Sequence, residues 1–164
     1  MKIEEKVHLD VVAEDMWKVM NDIPVIAKCI PGVEAFEPEG DNVYIGSIKM
    51  KVGPIAVNFK GKITVLEVDE EQRKISMRAE ASDSRIGSNV KVVQTLSVIA
   101  ADGGSDFAVE ADVDMRGKLA QLGWGLIRPK VTSTMQEFAE NLRIYMEENK
   151  EEAPETDQIS SALD

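Results

Sequence analysis

Few residues in this chain could carry covalent or acid–base chemistry, and their spacing keeps them apart. His8, the only histidine, could act as a general base, yet it shares its parity with Lys2, Glu4 and Lys6, which places it on the polar face of a strand. Cys29, the only cysteine, has no histidine close in sequence to activate its thiol and fits a packed helix residue better than a nucleophile. One cysteine and one histidine also exclude an internal disulfide, a cysteine cage and a multi-histidine metal site. Glu67, Asp69, Glu70 and Glu71 gather at a turn without the ordered spacing of a calcium loop, so they read as a solvated loop. Gly103-Gly104 and Gly123-Trp124-Gly125 lack the strand-to-helix glycine pattern that cradles phosphates and read as turn and hinge signals. Glu5 interrupts the apolar parity of the first strand and is the candidate for a pocket carboxylate, should the protein be an enzyme.

The apolar residues carry the stronger signal. Met16, Met20, Met50, Met77, Met115 and Met135 fall on expected inner faces, together with the small residues Gly46, Gly61, Ala79, Ala81 and Ala111. Small residues in the middle of a curved sheet leave space, and flexible thioethers adapt around a guest. The same set could also fill an ordinary core. Gln94 shares the inward parity, and a buried amide needs a partner, either a ligand or an internal backbone group.

The elements that must position these residues follow from periodicity. Ile3, Val7, Leu9 and Val11 alternate with polar residues, which predicts a half-buried first strand. Met16, Trp17, Val19 and Met20 recur at helical spacing, and Asp22 with Pro24 starts a second short helix that ends at Pro31-Gly32. Residues 42 to 65 read as two long alternating strands joined at Gly53-Pro54, and three or four more strands follow, with inward sets such as Ile75, Met77, Ala79 and Ala81. The polar opposite parity argues for an antiparallel sheet with one wet and one covered face. From Gly117 to Glu148, Leu119, Leu122, Leu126, Val131, Met135, Phe138, Leu142 and Tyr145 predict one long amphipathic helix that covers the sheet, with a bend at Pro129.

Length and charge narrow the function class. At 164 residues the chain suits one domain, expected over residues 1–148, followed by an acidic disordered tail over 149–164. A net charge of -11 opposes a phosphate backbone or an anionic lipid surface, which argues against nucleic acid as a partner. No apolar run approaches the ~20 residues of a membrane span, and the N-terminus lacks the apolar stretch of a signal peptide, so a cytoplasmic protein is expected.

Three strings resemble a known family: MWKVMNDIPVIAKCIPGVE at 16–34, KMKVGPIAVNFKGKITV at 49–65 and GKLAQLGWGLI at 117–127 are similar to the CoxG family of carbon monoxide dehydrogenase proteins, within the START-like (SRPBCC) helix-grip superfamily. The resemblance spans roughly residues 2 to 146. It implies an α+β helix-grip fold, a seven-stranded antiparallel sheet wrapped around a long C-terminal helix with two short helices after the first strand. It also implies a non-enzymatic accessory protein of a molybdenum carbon monoxide dehydrogenase, with a cavity for a quinone or lipid and peripheral contact with the inner face of the membrane.

On this reading the expected cavity wall is Met50, Phe59, Met77, Phe107, Met115, Leu119, Leu122 and Leu126, with Trp124 as a gate, and no catalytic residue, metal or cofactor is expected. Two alternatives stay open. One is a helix-grip cyclase or hydrolase that uses a pocket carboxylate such as Glu5; the other is an assembly factor with a solid interior.

Overall fold

The computed structural model describes residues 1–150. The expected tail lies, from residue 151 onward, outside the described residues. Strand β1 (Lys2–Leu9) leads into helices α1 (Ala13–Met20) and α2 (Ile23–Cys29). Six further strands follow: β2 (Val33–Gly40), β3 (Val43–Val52), β4 (Ile55–Asp69), β5 (Lys74–Asp83), β6 (Ser88–Ala101) and β7 (Gly104–Arg116). A 3-10 turn (Ala120–Leu122) then precedes the long helix α3 (Trp124–Lys150). The seven strands form one antiparallel sheet in the order β1-β7-β6-β5-β4-β3-β2. This is the α+β arrangement read from the sequence, and β1 closes it by pairing Ile3 with Ala111 and Val7 with Phe107.

Local chemistry explains the elements. Glu14 and Asp15 sit in the first turn of α1 and Lys18 in its last, each complementing the helix dipole. Pro24 falls at the start of α2, where its missing N–H breaks no helical bond. Gly53, at φ +57, makes the tight turn between β3 and β4. Pro38 lies on the edge strand β2, where a strand tolerates proline, beside a register shift that bends the edge. The register of β4 against β5 shifts between Val65 and Glu67, an irregularity of the kind that bends a long strand.

The C-terminal segment differs from the single helix over 117–148 that periodicity predicts. Gly123 takes φ +80 and ψ 165, which ends the 3-10 turn and restarts the chain as α3 at Trp124. The helix then runs through Pro129 without a break. Proline leaves the Gly125 carbonyl without its usual donor, and because Gly125 is exposed, water can take that place. The helix also continues past residue 148, with Asn149 Nδ2 donating to the Tyr145 carbonyl at 2.8 Å.

Two hydrophobic cores pack on the concave side of the sheet. The first joins α1, α2 and the C-terminal half of α3 to the sheet through Met16, Met20, Ile26, Ile75, Phe107, Phe138 and Leu142. The second joins the β3–β4 hairpin to the chain before and at the start of α3 through Val52, Val57, Phe59, Leu119 and Ile127. Each is tied by polar contacts. Asn141 Nδ2 donates to the Cys29 carbonyl at 2.9 Å, fixing α3 to the end of α2, and Trp17 Nε1 donates to Glu70 at 3.0 Å. At the other end the Leu119 amide donates to Ser88 Oγ at 2.8 Å, locking the 3-10 turn to β6.

Gly46 and Gly61 are register partners at the centre of the β3–β4 pair. A Cβ on Gly61 would overlap the Glu80 carbonyl, and one on Gly46 would press on the Ala35 carbonyl. Glycine is therefore required by the close approach of neighbouring strands, and Gly61→Ala should cost about 1–3 kcal/mol in denaturant titration. A cost near zero would show that β4 and β5 separate freely.

Asp83, buried at the end of β5, accepts hydrogen bonds from the amides of Asn58 (2.8 Å) and Arg85 (3.1 Å) and from the Arg85 guanidinium (3.1 Å). These donors, the Asn58 amide above all, hold its carboxyl below the ordinary aspartate value. Since the folded value is the lower one, the stabilisation is complete above about pH 4 and is lost as pH falls through the folded value. Asp83→Asn should be less stable than the parent at pH 7, with the gap narrowing below about pH 4 in urea melts. A gap independent of pH would show that the charge contributes nothing.

Candidate functional site

Between the two cores the concave face of the sheet is not filled. A cavity of about 330 Å³ lies there, floored by the sheet and roofed by α2 and the middle of α3. Its floor is built from residues with little or no side chain: Gly46, Gly61, Ala79 and Ala81 all line it. The register explains why they meet, since Gly46 pairs with Gly61, Gly61 with Ala81, and Ile63 with Ala79. Ile23, Ile26, Ala27 and Ile30 close it from the side of α2, and Thr134, Met135 and Phe138 from α3. Phe36 and Tyr44, stacked with centroids 5.1 Å apart, border it on β2 and β3.

The wall is almost entirely apolar. The hollow is open to solvent on one side, whereas Met77 and Phe107 in its lining are 4% and 1% exposed, so it reaches into the first core. Lys62 and Glu80, register partners on β4 and β5, border the cavity on the outward parity. Among the lining side chains on the inward parity of the sheet, Gln94 carries the amide and Tyr44 a hydroxyl, and Thr134 adds a second hydroxyl from α3.

The residues expected to line a cavity separate into two groups. Phe59, Met77 and Phe107 line it. Met50, Met115, Leu119, Leu122 and Trp124 belong to the second core, and Leu126 is 45% exposed and covers Gly53. Trp124 and Met115 border a separate hollow of about 230 Å³ with Met1, Asp114 and Ala120, away from the cavity. For the C-terminal residues the structure differs in register: α3 begins at Trp124 rather than Gly117, and the helix residues over the cavity are Thr134, Met135 and Phe138. Their periodicity was visible in the sequence, but no sequence signal shows which turn of a helix crosses the hollow part of a sheet. The α2 residues were hidden for the same reason.

The residues with chemical potential lie elsewhere. His8 is on the exposed face of β1, with Nδ1 2.9 Å from the Asp106 carboxylate. Cys29 is packed in the first core at 3% exposure, and burial pushes its thiol above the ordinary value, which disfavours the nucleophilic thiolate. Glu5 accepts a hydrogen bond from Thr132 Oγ1 at 2.9 Å and does not line the cavity. Glu70 is used by Trp17. Among the described residues, no group of three or more His, Cys, Asp or Glu side chains is placed to hold a metal ion. The arrangement is suited to enclosing an apolar molecule, with one amide to orient it.

Comparison with solved structures gives the same fold. A conserved protein from Geobacillus kaustophilus matches with a TM-score of 0.80 at 13% identity, over 91% of this chain and 97% of that one. A START superfamily protein from Mycobacterium smegmatis matches at 0.66 with 13% identity, over 90% and 97%, and Ara h 8.0201 at 0.63 with 19% identity, over 91% and 99%. No curated protein matches the chain. The family model for CoxG, a subunit of carbon monoxide dehydrogenase, matches residues 6–147, a span that includes both cores and every residue lining the cavity. With that match over most of its length, the chain belongs to the CoxG family of carbon monoxide dehydrogenase proteins.

Proposed function

We propose that this protein is a non-enzymatic accessory protein of a molybdenum carbon monoxide dehydrogenase, and that it holds a lipophilic molecule, a quinone or a lipid, in the cavity between sheet and helices. The observation that carries the reading is an apolar, solvent-connected hollow in a protein whose candidate acid Glu5, cysteine and histidine are placed outside it. The family supports the choice of enzyme partner. Among the described residues no helix is long and apolar enough to cross a membrane, so any recruitment of the enzyme to the cytoplasmic face through these residues would be peripheral. A net charge of -11 argues that such contact is made through the partner or through apolar side chains rather than by attraction to anionic lipid.

Apolar burial supplies the affinity. Enclosing about 200 Å² of a ring-bearing ligand at about 25 cal/mol per Å² contributes about 5 kcal/mol before the costs of immobilisation. Binding of the isolated ring should therefore be weak, and contacts beyond the cavity would strengthen it.

Native mass spectrometry of the protein purified from its own host should show a co-purifying apolar small molecule, and titration with a menaquinone analogue should saturate. Ala79→Phe, which fills the floor of the cavity, should weaken that binding at least tenfold while the fold persists. Trp124→Phe should leave it within about twofold, since the indole borders a different hollow. A protein that carries no ligand and shows no saturable binding would end the carrier reading, and a large loss in Trp124→Phe would restore the indole as a gate. Pull-down with a molybdenum hydroxylase tests the partner independently.

A further inference from the structure

Gln94 occupies the floor of the cavity between Met77 on β5 and Ala111 on β7, its register partners. It is half-buried, and none of the side-chain hydrogen bonds of the described residues involves it. The amide is not sealed inside the protein, since Asn58 Oδ1 is the one buried side-chain atom left without a partner among the described residues. An amide that offers both a donor and an acceptor, set in an apolar wall beside one of the most buried lining residues, is costly unless something satisfies it.

The volume sets a second constraint. At about 330 Å³ the hollow lies at the small end of the roughly 300–1,000 Å³ range of ligand pockets, room for one fused ring system rather than for a long chain as well. A long-chain molecule cannot be enclosed whole. One end must enter, and the rest must stay outside.

From these two facts, and resting on the cavity reading above, we infer that Gln94 is the specificity-determining anchor of the site and that the ligand enters polar end first. The class selected is a flat ring bearing a carbonyl or hydroxyl, hydrogen-bonded to the Gln94 amide, with any hydrocarbon chain trailing out of the cavity. A bare alkyl end leaves the amide unpaired and is disfavoured.

Two probes that differ only by hydroxyl for methyl, 2-naphthol and 2-methylnaphthalene, test this by equilibrium dialysis against the full chain. The parent should bind 2-naphthol more tightly than its hydrophobicity alone dictates, and Gln94→Leu should weaken 2-naphthol by about two- to tenfold while holding or strengthening 2-methylnaphthalene. Gln94→Met, close in length, should repeat the pattern, and thermal melts of both variants confirm folding. Equal effects on the two probes, or a hydroxyl preference that survives both substitutions, would overturn the anchor while leaving the carrier reading intact. Binding of neither probe by a parent that saturates with the menaquinone analogue would overturn the anchor alone, and binding of neither the probes nor the analogue would overturn both.

Discussion

The long helix is braced at its two ends and spans a gap between them. Its start and the 3-10 turn before it are clamped to the β3–β4 hairpin by Leu119 and Ile127, and to β6 by the hydrogen bond from the Leu119 amide to Ser88. Its later turns are packed on α1, α2 and the sheet by Phe138 and Leu142, and held to α2 by Asn141. A helix fixed at both ends cannot sink onto a floor of glycine and alanine, because close-packed cores resist deformation. The cavity is thus a product of two solid regions rather than of looseness.

This division of labour separates stability from binding only at the floor, since Phe59, Met77 and Phe107 serve both a core and the cavity wall. The residues that contribute most to folding are in the two cores, whereas the cavity floor contributes little apolar contact and can change with small effect. Gly46 and Gly61 are exceptions, since neighbouring backbone meets them from the adjacent strands. They shape the sheet that holds the cavity and cannot be exchanged for larger residues without moving a strand.

Much of the architecture was legible in alternation and helical spacing. The order of elements, the face of each strand and the small residues at Gly46, Gly61, Ala79 and Ala81 all follow from local pattern. The site was only partly legible. Phe59, Met77 and Phe107 could be found because strand parity fixes a side, but it does not fix a position along the sheet, so Met50 and Met115 share the face and yet pack into the second core. The helical wall was misaligned because a single residue, Gly123, resets the chain between two helical segments. The α2 residues escaped notice because docking of a helix across a sheet is decided by distant contacts. Glycine, read as a source of space, turned out to be demanded by strand approach at Gly46 and Gly61.

The pairing of β1 with β7 has a kinetic consequence. Residues of the first strand find their partners about a hundred positions later, as when Val7 meets Phe107. Such long loops must close before the contacts repay their entropy, which slows folding relative to local topologies. During synthesis the first strand would wait unpaired, its apolar side uncovered, until the segment that completes the sheet had left the ribosome. The alternating lysines and glutamates of that segment, Lys2, Glu4 and Lys6, keep its other side soluble through the delay.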